Sequence, residues 1–206
     1  MLTTTLYLDI ETLPAADESR EALAYLYARK CEKAERNGQE PEDFAQFVRH
    51  TALDGAFGRL LCIGYALDDG PTQALVGEER EMLAAFWALA RGVGLFVGHN
   101  VMEFDLPFLY QRSVVQQVRP SVKLSFARYK SAPIYDTMHE WTHWGRARVG
   151  LEHLALALGL PTPKTGIDGS QVFAFYQAGR VDEIVAYCRR DVETTRAVYK
   201  RLRFMG

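Results

Sequence analysis

The chain has 206 residues, 48% of them hydrophobic and 24% charged, and a formal net charge of −2. That length sustains one sizeable core, so a single domain over residues 1–206 is expected; near-neutral charge excludes binding of nucleic acid through overall positive charge, and the apolar runs are too short to span a membrane. Cys31, Cys62 and Cys188 are far apart and form no CxxC pair, which argues against a disulfide framework or a zinc site, and the start of the chain lacks a basic segment followed by an apolar block, so a cytoplasmic protein without a secretory signal is expected.

Thr5 to Thr12 is the first predicted strand, with Leu6, Leu8 and Ile10 alternating with Tyr7, Asp9 and Glu11. Residues two apart on a strand share a face, so Asp9 and Glu11 stand side by side. On a wet edge strand they would simply be solvated. In a drier place they repel each other and ask for a divalent cation, which takes carboxylate oxygens well.

A polar stretch from Asp17 to about Val48 follows, helical in composition and broken at Asn37-Gly38, with Pro41-Glu42-Asp43 opening a second helix. It reads as a helical insertion at about 17–54, without an assigned role. Arg59 to Leu67 and Thr72 to Val76 are strands joined by the Asp68-Asp69-Gly70-Pro71 turn. Glu78 to Ala90 is an amphipathic helix, and Val93 to Val97 is a strand ending in Gly98-His99-Asn100. Phe104 to Leu109 opens a helix whose first turn holds Pro107, which places Asp105 at or beside the N-cap. Ile134 to Thr137 is a short strand leading into a helix near His139–Trp144. Gly150 to Leu158 is a helix closed by Gly159. A glycine-containing loop, 164–170, precedes a helix from Ser170 to Gln177, and the last helix spans Val181 to Arg203. Strands followed by helix and strand describe an α/β fold, a mixed sheet with helices packed on it.

From Arg112 to Arg148 seven basic residues stand against two acidic ones, interleaved with Phe126, Tyr129, Tyr135, Trp141 and Trp144. Basic groups meet phosphates and rings stack on bases; the same pattern also describes a solvated surface over core aromatics. On the final helix Tyr187 and Asp191 are four apart and hence neighbours at the rim of the apolar stripe. They are suited to a site or to a plain Tyr–Asp hydrogen bond.

The stretches Leu8-Asp9-Ile10-Glu11-Thr12, Gly98 to Asp105 and Tyr187-Cys188-Arg189-Arg190-Asp191 together resemble the DEDD 3′–5′ exonucleases, which have the ribonuclease H-like fold with helices on both faces of a mixed central sheet. One branch of that family carries a His five positions before the last Asp, where this chain has Ala186. The other carries a Tyr four before it, where this chain has Tyr187. With Gly58 to Tyr65 and Gly166 to Val172 added, the chain resembles predicted exonucleases related to the proofreading domain of family B DNA polymerases.

The resemblance implies two divalent metal ions, Mg²⁺ or Mn²⁺, on Asp9, Glu11, Asp105 and Asp191. Asp9 would bridge both, Glu11 and Asp191 would complete the site that activates water, and Tyr187 would position that water. Two ions roughly 4 Å apart suit phosphodiester hydrolysis, and oxygen ligands favour Mg²⁺ or Mn²⁺ over zinc. Thr12, Leu13, Asn100, Phe104, Lys164 and Ser170 are the expected grip on the 3′ terminus, with Leu13 wedged against the terminal base, although Leu13 and Phe104 also suit a core and Ser170 a helix cap. Asp136, His99 and His139 are expected to be structural. The partner expected is the 3′ end of single-stranded DNA, with RNA ends as the alternative, and an inactive nucleic-acid-binding module as the alternative outside enzymes.

Overall fold

The structure, a computed structural model, describes residues 4–162 and 166–205. Strand β1 (Thr4–Leu13) is the central strand of a five-stranded sheet. On one side β2 (Arg59–Leu67) pairs antiparallel with it and β3 (Gln73–Val76) antiparallel with β2, and on the other β4 (Val93–Gly98) and β5 (Ile134–Asp136) run parallel to it, in the order β3-β2-β1-β4-β5. The expected α/β architecture is therefore present. The wet-edge alternative for Asp9 and Glu11 is ruled out, because β1 is paired on both sides.

The alternation along β1 sorts its side chains into two cores. Leu6, Leu8 and Ile10 are buried on one face with Met82, Leu83 and Phe86 of helix α3 and with Leu106, Phe108 and Leu109 of helix α4. Those helices span Glu79–Ala90 and Asp105–Val115, and follow α1 (Arg20–Arg36) and α2 (Phe44–His50) in the chain. Tyr7 points the other way, into a core with Ala66, Val97, Val192 and Tyr199. Asp9 and Glu11 share that second face, and Leu13 ends it, packed with Leu61, Val172 and Ile184. Helices α5 (Thr137–Trp141), α6 (Leu151–Ala157) and α7 (Val172–Gln177) all contact the long helix α8 (Val181–Leu202), which covers this face.

Helix α8 can lie close because Gly64, opposite Asp9 in the β1–β2 ladder, has no side chain. A Cβ there would sit 2.8 Å from Cys188 Sγ and 3.0 Å from Val192 Cγ2. The stripe Ile184, Cys188, Asp191, Val192, Thr195 and Val198 is the buried side of the helix, following the three- and four-residue spacing of one helical face.

The segment between β1 and β2 differs in detail from its sequence reading. Its second helix starts at Phe44, not at Pro41, because Asp43 is the cap and accepts from Gln46 N at 2.7 Å. Tyr27 packs edge-on against Phe44, with ring centroids 5.2 Å apart, and so joins the two helices. The end of the segment is tied to the end of β1. Thr12 Oγ1 donates to Ala52 O at 2.7 Å, and Ala15 N donates to Thr51 Oγ1 at 2.8 Å. Arg112 is no part of a surface basic stretch: it is buried, forks onto Glu79 at 2.7 and 2.8 Å, and donates to Gly55 O. Among the described residues no helix is long and apolar enough to cross a membrane.

Gly64→Ala forces α8 away from the sheet or the strand out of register. Overpacking of this kind costs about 1–3 kcal/mol, so a lowered midpoint in thermal or urea unfolding is expected. An unchanged midpoint would contradict the close seating of α8 on β2.

Candidate active site

Strand β1 delivers Asp9 and Glu11, α8 delivers Tyr187 and Asp191 one turn apart, and the first residue of α4 is Asp105. Asp9, Glu11, Tyr187 and Asp191 line one cleft of about 610 Å³, and Thr12, Phe104 and Ser170 line it too. Asp105 lies behind the wall, 4% exposed. It does not cap its own helix, where Phe104 holds the cap position without a side-chain bond. Its Oδ1 instead accepts from Ile10 N at 3.1 Å, so the carboxylate joins α4 to the strand that carries Asp9 and Glu11.

Other expected site residues fall elsewhere. Leu13 is 2% exposed and belongs to the core with Leu61 and Val172, so it has no surface to offer as a wedge. Asn100 is off the cleft wall. It adopts a left-handed backbone, φ 61°, its N–H donates to Asp136 Oδ1, and its own Oδ1 is buried without a partner. Lys164 lies outside the described residues. Ser170 is not a cap, because Asp168 takes that place and accepts from Ser170 N at 2.9 Å. Asp136 accepts from four backbone N–H groups, those of Asn100, Met102, Met138 and His139, which ties the turn after β4 to the start of α5. His99 is held between Thr137 Oγ1 and Val149 O, and burial lowers its pKa.

The electrostatics follow from burial. Removal from water favours the neutral form of a carboxyl group, and like charges nearby push further the same way. Asp9 is raised well above the usual range by desolvation and then by Glu11, Asp191 and Asp105. Glu11 is raised by desolvation, then by Cys62 and Asp191. Desolvation takes Asp105 up to about 7, against the pull of its backbone hydrogen bonds. Asp191 is pushed up to about 6 by desolvation, partly offset by the hydrogen bond that Tyr187 donates to it. Tyr187 is itself raised, by burial first and then by Asp191 and Glu11, so it stays a neutral donor.

Two buried oxygens, Asp9 Oδ2 and Asp191 Oδ1, have no hydrogen-bond partner. Unpaired carboxylate oxygens in a dry, mutually repelling group are what a divalent cation satisfies, since hard cations take oxygen ligands. Ligand atoms of Asp9, Glu11 and Cys188 lie within 4.8 Å of one another. The buried Cys188 Sγ is turned to the backbone, donating to Asp9 O at 3.4 Å, and soft sulfur suits a hard, oxygen-seeking cation poorly. The carboxylates are thus the fitting ligands.

The sequence reading missed one wall of the cleft. Gln46, Arg49, His50, Ala52 and Leu53, all from the segment between β1 and β2, line it. His50 pairs with Glu42 at 2.6 Å. Nothing in the periodicity of that segment points at the cleft. Its placement depends on the hydrogen bonds from Thr12 and Ala15, which are tertiary.

A mixed sheet with helices on both faces and the acids at the end of its central strand is the ribonuclease H-like fold. The structure of the family B DNA polymerase from the hyperthermophilic archaeon Pyrobaculum calidifontis superposes with a TM-score of 0.67 at 16% identity, over 98% of this chain and 25% of the polymerase chain. At family level, residues 72–206 match the profile described as a predicted 3′-5′ exonuclease related to the exonuclease domain of PolB. The chain belongs to that family. The family match begins after Asp9 and Glu11, whereas the structural match includes them. No curated protein matches the chain.

Because Asp105 and Asp191 are raised to about 7 and about 6 from an ordinary value of 3.8, folding favours their protonated forms. That contribution to stability is complete below the unfolded value near 3.8 and is lost as pH rises through 6 to 7. The metal-free protein is therefore expected to melt lower at about pH 8 than at about pH 5. Asp105→Asn, which mimics the protonated form, should flatten the dependence. Added Mg²⁺ or Mn²⁺ should raise the melting temperature more at the higher pH. A wild-type profile matched by Asp105→Asn would contradict the placement of Asp105 in a repelling group.

Proposed function

We propose that the protein hydrolyses the terminal phosphodiester bond at 3′ ends of single-stranded DNA and releases nucleoside 5′-monophosphates, using two divalent ions, Mg²⁺ or Mn²⁺, held by Asp9, Glu11, Asp105 and Asp191. The observation that carries this is the desolvated, mutually repelling group of acids with the unpaired Asp9 Oδ2 and Asp191 Oδ1. The choice of deoxyribose follows the family's relation to the exonuclease domain of PolB. When bound, the ions supply charge neutralisation on the phosphoryl oxygens and a lowered pKa for the attacking water.

The chain's own groups do the rest. Tyr187 is a neutral donor at the cleft, hydrogen-bonded to Asp191. It orients the attacking water and cannot serve as its base. Water adds to phosphorus, the bond from phosphorus to the 3′ oxygen of the preceding nucleotide breaks, and that oxygen takes a proton. Phe104, tilted against Phe108 with centroids 5.7 Å apart, offers an aromatic surface to the terminal nucleotide. Leu53, 70% exposed on the cleft wall, takes the apolar role that Leu13 cannot. Arg49 lines the same wall and has no carboxylate partner among the described residues, so it suits a phosphate of the incoming strand.

Oligonucleotides of DNA and RNA labelled at either end test this, with each metal and with chelator. Stepwise release of mononucleotides from the 3′ end is expected, dependent on metal and lost in Asp9→Asn and Asp191→Asn. Release from the 5′ end, or cleavage that survives chelation, would rule the proposal out, and a faster rate on RNA would move the substrate to the ribose series. Tyr187→Phe should lower kcat by about a hundredfold, the scale set by a misplaced reactant, with little change in KM. Arg49→Ala should do the reverse, raising KM by about tenfold, the worth of one charge-assisted hydrogen bond.

A further inference from the structure

Beside the cleft, three rings form a column. His139, 6% exposed, lies flat against Trp144, with centroids 4.7 Å apart and planes 4° apart. Trp144 is followed by Tyr129, 5.5 Å away and tilted by 53°. Tyr129 is 73% exposed, so the column opens to water at its outer ring. Tyr129, His143 and Trp144 all hold left-handed backbones, with φ of 64°, 47° and 61°. Bulky residues enter that region only where their surroundings hold them there. Core packing accounts for Trp144 and His139 but not for Tyr129, the outermost ring, which buries little.

Around the column lies uncompensated positive charge. Arg128 and Arg146 line the same hollow as His139 and Trp144. Neither has an ion-pair partner among the described residues, whereas Arg148 is taken up by Glu103 at 2.6 Å. Glu103 borders this hollow and the next residue, Phe104, borders the acid cleft. The two hollows thus meet at consecutive residues.

We infer that Tyr129, backed by Trp144 and His139 and flanked by Arg128 and Arg146, is a stacking platform for a base of the single strand upstream of the 3′ end, outside the acid cleft. Exposed rings stack on any base and arginines meet the flanking phosphates, so the platform takes single-stranded nucleic acid with little regard to sequence. The strand leaves the cleft past Phe104 and reaches Tyr129. The assignment builds on the exonuclease reading but does not need the acids to be active.

Binding and hydrolysis separate the two. With chelator present at low salt, anisotropy of a labelled oligothymidylate long enough to cover both hollows measures binding alone. Tyr129→Ala should weaken it by roughly five- to twentyfold, the low end of what one stacked base contributes, and Tyr129→Phe should restore it. Arg128→Gln with Arg146→Gln should flatten the salt dependence by about 0.7 in log–log slope for each arginine. With metal, Tyr129→Ala and the double arginine variant should hydrolyse the p-nitrophenyl ester of thymidine 5′-monophosphate, which fills only the cleft, at the wild-type rate. Equal oligonucleotide affinity in wild type and Tyr129→Ala would overturn the platform, as would an equal loss on the short ester. Wild-type protein that binds the strand through Tyr129 yet hydrolyses nothing would sustain the platform and defeat the proposed activity.

Discussion

Everything at the cleft depends on carboxylates kept from water at the joint of three elements. Asp9 and Glu11 come from a strand paired on both sides, Asp105 from a helix start that bonds that strand, and Asp191 from a helix lying across it. Each element would pack more comfortably with apolar groups at these places. In water the acids would separate and hydrate. Here the sheet and the two helices hold them together, and the cost appears as raised pKa values and as oxygens without partners. The fold therefore carries a built-in demand for positive charge, which Arg190 beside Asp191 answers only in part, since Asp191 is still raised to about 6.

The floor beneath the acids fits this. Cys62, opposite Glu11 in the ladder, and Cys188, whose Sγ donates to Asp9 O, are fully buried, and Gly64 leaves room for the Cys188 Sγ. Thiols are weak donors that leave a carboxylate largely unsolvated. Serines at those positions would be stronger donors and would ease the repulsion among the acids.

Much of the architecture was legible in the sequence because it rests on local pattern. Alternation marked β1, turn chemistry marked the β2–β3 hairpin, and the stripe from Ile184 to Val198 marked α8. The acids were legible only in combination, since none is distinctive by itself. What escaped was tertiary. Leu13 and Leu53 are both leucines beside a motif or a helix, and only packing tells that the first is core and the second is open to the cleft. The role of residues 17–54 was hidden for the same reason. No periodicity announces that Thr12 will hold Ala52. Arg112 belonged by sequence to a basic stretch, yet the fold draws it inside to Glu79 and leaves Arg128 and Arg146 outside.

The hydrogen bond from Thr12 to Ala52 has a further consequence. The acids sit on the sheet and its long helix, while Gln46, Arg49 and Leu53 sit on a segment fastened at its end to that same strand. The acids and this part of the lining thus belong to different stretches of chain that are joined where Thr12 holds Ala52. Residues 17–54 can diversify, lengthen or be exchanged while the carboxylates keep their places. The shape of the opening and the charge at its base are in this way set by separate stretches of chain.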